Sequence, residues 1–359
     1  ALLCMPVVGA VLLGVLPPRL ARWQWPLALI VAVSCVGMAG ALLWHFDPAG
    51  ASIQFFDSRA WNARLGSSFA LGVDGISLAM LVLTAVLTLA AVLVSRDMAK
   101  AGRLYYVLLM LLESAMFGVF SARDWSLFYV FWEATLLPLF FLIDRLGGVN
   151  RQSAALNFFL YTLGGSVFML VSLLFLYDAA PGHSFAMGDM ADGGRDLPLN
   201  TQLLIFAGLF IGFGVKMPVF PLHGWLPNMA QHGLVAVAPA LMVGVKVGIY
   251  GMMRFVLPLT PAAVQTWQPY VVGFAMAGVF FTAALAFQQS NLRRLLAFAV
   301  VSHTSLLVIG LFSLHESGIQ GAMLLAANFG LAVTGMWFIV GFVFRRTGTT
   351  ELHELSGLF

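Results

Sequence analysis

Charge is scarce in this chain. Of its 359 residues only 9% are Asp, Glu, Lys or Arg and 61% fall in the set AVILMFWYC, whereas soluble domains carry about 25% charged and roughly 45–50% apolar residues. With a mean hydropathy of +0.94, too little polar surface exists to clothe a water-soluble fold, and most side chains must face lipid or other helices. Cysteine is nearly absent. Cys4 and Cys35 both lie inside apolar runs, which excludes a disulfide framework and any iron–sulfur or zinc spacing and leaves packing as their expected role. Nucleotide signatures are missing too: there is no G-x-G-x-x-G, Walker A or H-E-x-x-H, and Gly212-Phe213-Gly214-Val215-Lys216 has glycines and a lysine without the P-loop order. The net charge of +3 comes from basic residues scattered through loops, so no patch exists to track the phosphates of a nucleic acid. The chain starts at Ala1 with no initiator Met and no basic segment before its first apolar run. A fragment boundary or trimmed terminus is therefore expected rather than a signal peptide.

Long apolar runs are abundant. Windows near 2–16, 26–44, 75–94, 104–120, 124–143, 154–177, 202–222, 232–254, 270–287, 294–314 and 318–344 predict about eleven transmembrane helices, an all-α polytopic membrane protein forming a single transmembrane domain over 1–359. A β-barrel is excluded because the runs are continuously apolar rather than alternating. Two polar stretches, about 45–73 and 178–201, are expected as extramembrane loops. If the spans alternate, Arg19, Arg22, Arg96, Lys100, Arg103, Arg145, Arg151, Arg293, Arg294, Arg345 and Arg346 share one side, and Arg59, Arg64, Arg123, Arg195 and Arg254 share the other. The basic excess marks the cytoplasmic or matrix side and places the N-terminus and both loops outside.

Against this background four ionisable residues stand within apolar spans: Glu113, Glu133, Lys216 and Lys246. A charge at the membrane centre costs roughly 2.5–3.5 kcal/mol on insertion scales, so each needs an interior partner or a watery path. Two acids and two bases suit an apparatus for moving charge; the alternative is a set of structural ion pairs that tie helices together. Lys216 has a further feature. Pro218 has no N–H and its ring obstructs the carbonyl of Gly214, so the helix must break beside the lysine, with Pro221 reinforcing the break. Broken helices at membrane depth line cavities, and carbonyls near Gly214 and Met217 are expected to bind water beside the ammonium. His303, flanked by Ser302 and Thr304, is a candidate proton relay. His223 shares a helical face with Lys216 only if the helix survives both prolines.

At these residues the sequence resembles a known family. The run Lys216-Met-Pro-Val-Phe-Pro-Leu-His-Gly-Trp-Leu-Pro227, the Phe131-Trp132-Glu133 run followed by Leu137-Pro138, Lys246 with Gly248-Ile-Tyr-Gly251, and Asn291-Leu-Arg-Arg-Leu295 leading into Val301-Ser-His303 are similar to the antiporter-like subunits of respiratory complex I, NADH–quinone oxidoreductase, in particular the M-type members (mitochondrial subunit four). The resemblance implies an antiporter-like inverted-repeat fold with a broken helix at Lys216-Pro218, a first half-channel over about 104–254 and an incomplete second repeat over about 270–359. It implies proton translocation driven by quinone reduction elsewhere in a complex. Glu133, Lys216, Lys246 and His303 match the family's relay positions, and Glu113 matches a fourth-helix acid.

Two departures stand out. Asn228-Met229-Ala230 replaces the usual Asp-Ala-His, and Phe329 lies where an eleventh-helix histidine is common. The family's twelfth-helix ionisable residue has no counterpart before Phe359, so a partial chain is expected. The resemblance further implies no cofactor or metal in this chain, with NADH, flavin, iron–sulfur clusters and quinone held by partner subunits. Expected partners are the other membrane subunits of the complex, including neighbouring antiporter-like subunits, and lipids, but no nucleic acid. The expected location is the bacterial inner membrane in preference to the mitochondrial one. The same residues also suit a multi-subunit cation/proton antiporter, a membrane-bound hydrogenase complex, or a structural paralogue that no longer conducts.

Overall fold

The computed structural model of the chain describes residues 1–62, 64–97, 102–233 and 238–355. Lys100, counted above among the basic residues, lies outside them. The helices run in the order α1 (Cys4–Val15), α2 (Gln24–His45), α3 (Gly75–Val94), α4 (Arg103–Ser121), α5 (Trp125–Ala134), α6 (Leu136–Leu146), α7 (Arg151–Ala179), α8 (Met187–Arg195), α9 (Leu199–Lys216), α10 (Trp225–His232), α11 (Ala238–Gly251), α12 (Leu257–Leu259), α13 (Pro261–Phe287), α14 (Leu292–Phe312) and α15 (Glu316–Thr347). Every apolar window meets helix. Among the described residues nine helical stretches are long and apolar enough to cross a bilayer, with α5 and α6 forming one of them. The difference from about eleven has a simple cause: α1 has 12 residues and α11 has 14 before a π-helical turn at Met252–Val256, short of the roughly 20 that a hydrocarbon core of about 30 Å requires.

The helical bundle carries one small element of sheet. Within 45–73 an antiparallel hairpin forms from β1 (Gln54–Asn62) and β2 (Ser67–Val73), pairing Asp57 with Leu71 and Ala60 with Ser68. Strand β2 buries Ser67, Ala70, Gly72 and Val73 against the bundle, whereas β1 is exposed along nearly all its length. The second polar stretch holds the short helix α8.

Asp74 fastens the hairpin to the helices. Its Oδ1 accepts from the Ser77 amide at 2.9 Å as the N-cap of α3, satisfying one of the amides that a helix start leaves unpaired. Its Oδ2 pairs with Arg123 at 3.3 Å and with Arg254, and Arg123 Nε donates to the Gly72 carbonyl at 3.1 Å. Burial would raise the Asp74 carboxyl, but Arg254 and Arg123 beside it outweigh that and hold it at about 2. A depressed carboxyl stabilises the fold fully above its unfolded value of 3.8, and that stabilisation is lost as the pH falls toward about 2. Asp74→Asn is accordingly expected to cost about 3–5 kcal/mol at neutral pH by leaving two guanidinium groups uncompensated. Thermal unfolding in detergent checks this, and the gap from wild type should close as the pH drops below the ordinary carboxylate range.

Five of the basic groups can be placed at opposite ends of α13, in the two sets that alternating spans predict. Arg123, Arg254 and Arg195, which donates to the Pro258 carbonyl at 3.3 Å, lie at the end where α13 begins. Arg293 and Arg294 lie past the other end of α13, a helix of 27 residues and so about 40 Å long. There Arg293 donates to the Gln231 and Gly233 carbonyls at 3.4 and 3.3 Å, placing a cation at the C-terminus of α10, where the helix dipole favours it.

Candidate functional site

Helix α9 stops at Lys216. The Met217 amide still donates to the Phe213 carbonyl at 2.9 Å, but Pro218 has no N–H for Gly214. The Gly214 carbonyl instead accepts from the Val219 amide at 3.0 Å, and the Val215 carbonyl, losing Val219, accepts from Trp225 Nε1 at 2.8 Å. The helix thus ends where the sequence predicts, and the carbonyls of Gly214 and Val215 each have a protein donor, as a buried carbonyl does wherever a donor is in reach. Pro221 lies beyond the break, in the segment 217–224, so it removes no helical hydrogen bond. His223 does not share a helical face with Lys216, since the helix has ended. Its ring sits near Phe220 and Phe298, with centroids 5.8 and 6.2 Å away, and its Nδ1 has no partner.

A second break faces the first. Pro138 cannot donate to the Ala134 carbonyl, and the span divides at Thr135 between α5 and α6. Thr135 turns its hydroxyl both ways: Oγ1 donates to the Trp132 carbonyl at 2.8 Å and accepts from Lys216 Nζ at 2.7 Å. The ammonium also lies 4.7 Å from the centroid of the Trp132 ring, a cation–π contact that a desolvated site strengthens. Lys216 is only 4% exposed. Glu133 acts on it electrostatically without reaching ion-pair distance, so the carboxylate expected beside the lysine is a near neighbour and Thr135 is the direct partner. One buried oxygen of Glu133, Oε1, makes no hydrogen bond. The sequence offered a signal for Thr135 in Pro138, three residues on.

Lys246 lies deeper. Helix α11 packs on α3, α4, α9 and α15, and its approach to α9 depends on Gly248: a Cβ there would lie 2.6 Å from the Phe213 carbonyl oxygen and collide with the Met217 side chain. Two residues earlier on α11, Lys246 meets α15 instead, its Cε lying 3.6 Å from where a Cβ on Gly330 would stand. Lys246 is 0% exposed and its Nζ has no hydrogen-bond partner. What covers the ammonium is the Phe329 ring, with its centroid at 5.1 Å. The same ring stacks on His303 with centroids 4.1 Å apart and planes 9° from parallel. His303 Nδ1 lies 3.0 Å from the Ala299 carbonyl, which fixes the ring and leaves Nε2 for exchange. The flanking hydroxyls are engaged: Ser302 donates to Val279 at 3.0 Å and Thr304 to Val300 at 2.8 Å.

Glu113 stands apart from this group. It is 1% exposed, and neither carboxyl oxygen makes a hydrogen bond of normal geometry, although the side chains of Cys35 and Thr88 approach it. Among the described residues no salt bridge involves Lys216, Lys246, Glu113 or Glu133. Structural ion pairs therefore do not account for these groups. Lys216 with Thr135 and Glu133 forms one cluster, and Lys246 with Phe329 and His303 forms a second.

Comparison with known proteins follows the same lines. Residues 122–359 match a transmembrane family described as NADH:quinone oxidoreductase/Mrp antiporter. The NAD(P)H-quinone oxidoreductase chain 4 2 of Thermosynechococcus vestitus is 36% identical over 362 residues, covering 99% of this chain and 66% of that one. The chain thus spans just under two thirds of that relative's length. Among solved structures, a chain of respiratory complex I from Thermus thermophilus with bound NADH superposes with a TM-score of 0.88 at 29% identity, covering 98% of this chain and 72% of that one. A chain of the Mrp complex from Dietzia sp. gives a TM-score of 0.84 at 22% identity over 97% of this chain and 38% of that one, a likeness of fold alone.

Proposed function

The chain belongs to the NADH:quinone oxidoreductase/Mrp antiporter transmembrane family, and from that membership we propose that it is a proton-translocating membrane subunit of an NAD(P)H–quinone oxidoreductase. The observation that carries the proposal is the pair of buried lysines that, among the described residues, have no carboxylate in contact, Lys216 on a hydroxyl and Lys246 on an aromatic face. Burying an ammonium costs several kcal/mol unless it is well compensated. Groups held so lightly suit a task that requires the proton to leave.

In this scheme the broken helices α5/α6 and α9/α10 form the moving part. While Glu133 stays close, its charge favours the Lys216 ammonium; a shift of α5 relative to α9 weakens that attraction, and the proton passes on toward Lys246 and then His303. Partner subunits would hold NADH, flavin, iron–sulfur clusters and quinone, and this chain would supply the proton path in the bacterial inner membrane. The family description also names Mrp antiporters, so a subunit of a cation/proton antiporter is the second reading. Genes for an NADH-binding flavoprotein beside this one favour the first, and antiporter subunit genes favour the second.

Thr135→Val tests the proposal at the first cluster. Valine keeps the shape and removes the acceptor for Lys216 Nζ, and a hydrogen bond to a charged group is worth about 1.5–3 kcal/mol. Quinone-dependent proton uptake by vesicles is expected to fall about tenfold or more, with assembly on native gels intact. Unchanged uptake would remove the first cluster from the path.

A further inference from the structure

The second cluster contains an obstacle. A proton leaving Lys246 for His303 needs a continuous run of hydrogen-bonding groups, yet Lys246 Nζ has no hydrogen-bond partner, and the residue in contact with both side chains is Phe329, at 5.1 Å from the ammonium and 4.1 Å from the imidazole. Phe329 is itself 9% exposed, with its ring held parallel to His303. A phenyl ring neither donates nor accepts a proton. Its face does attract a cation, most strongly where water is excluded.

Resting on the proton-translocating function argued above, we propose that Phe329 is a positioning residue that works as a dry aromatic gate: it holds the Lys246 ammonium by its ring face and blocks proton passage to His303 until the ring swings aside and admits water. The space around it fits this role. Helix α15 carries Gly330 next in sequence, and a Cβ there would meet Lys246 Cε at 3.6 Å and Leu83 at 3.4 Å, so on this side the lysine stem lies against a glycine and a leucine, and among the described residues its Nζ has no hydrogen-bond partner. With the ring aside, a water can accept the proton from Lys246 Nζ and pass one to His303 Nε2. Lys246 is left as a neutral amine, His303 becomes an imidazolium, and the water is unchanged. Closing the ring then separates the two groups again and keeps the proton from returning. Rectification of this kind matters most in a pump, where a permanently wet path would dissipate the gradient.

The test uses the intact complex in proteoliposomes and reads two quantities: passive proton leak without NADH, and NADH-driven proton uptake. Phe329→Ala opens space for water at the contact, and its leak is expected to rise about tenfold, equivalent to a barrier lower by roughly 1.4 kcal/mol, while net uptake falls. Phe329→Gln, which keeps a side chain of similar reach, puts a hydrogen-bonding group in the gap and should raise leak likewise. Phe329→Leu keeps the gap apolar and should leave leak at the wild-type level. A purely structural role would instead reduce the amount of assembled complex and leave the leak per complex unchanged. Wild-type leak and uptake in assembled Phe329→Ala and Phe329→Gln complexes would overturn the gate. The Lys246→Ala complex separates the two layers: lost uptake there with unaltered Phe329 variants contradicts only the gate, whereas wild-type uptake in Lys246→Ala contradicts the function on which the gate rests.

Discussion

Replacing Lys246 by arginine is expected to leave the complex assembled and nearly devoid of coupled proton transport. The two cations differ in one respect that matters here: an ammonium can release its proton, whereas a guanidinium effectively cannot. Were Lys246 a structural cation, arginine would serve as well or better, because its fork of donors suits a carboxylate. Among the described residues no carboxylate pairs with it, and its Nζ lies over the phenyl ring of Phe329, on which a guanidinium stacks readily. Folding should thus tolerate the change and function should not. Native gels report assembly and NADH-dependent acidification of vesicles reports function; wild-type acidification in Lys246→Arg would return the residue to a packing role.

Glu133→Gln is expected to lower proton transport about as severely, with little loss of assembly. Glutamine matches glutamate in size, so no cavity forms. What disappears is the negative charge that acts on Lys216 without forming an ion pair with it. One Glu133 oxygen is already buried without a partner, an arrangement that stability does not favour and that a neutral amide at the same place would not worsen much. A variant that assembles, oxidises NADH in detergent-opened membranes and fails to build a gradient in sealed ones is the predicted outcome.

Much of this molecule was legible from hydropathy alone. The spans could be read because lipid demands continuous apolar runs, and the stop at Lys216 because Pro218 cannot continue a helix. The hairpin escaped notice since Gln54–Asn62 is exposed along nearly its whole length and carries no alternation of apolar and polar residues to betray a strand. Thr135 was missed for a different reason. Its break is signalled by Pro138, but its role depends on meeting Lys216 across 81 residues of chain, a contact made by packing that no local pattern encodes. Phe329 was visible as a departure at a relay position, and only the geometry shows that its ring touches both Lys246 and His303. At the α9 break the Gly214 and Val215 carbonyls find donors in the Val219 amide and the Trp225 indole, the second of them a contact made by packing that Pro218 does not announce.

The most direct test of the central claim is the number of protons translocated per NADH oxidised, measured in sealed vesicles for the wild-type complex and for one carrying Glu133→Gln. If protons cross through this chain, the ratio falls in the variant while the rate of NADH oxidation in uncoupled vesicles stays close to wild type. An unchanged ratio, with the variant fully assembled, would show that protons cross elsewhere and that the buried charges of this chain serve another purpose.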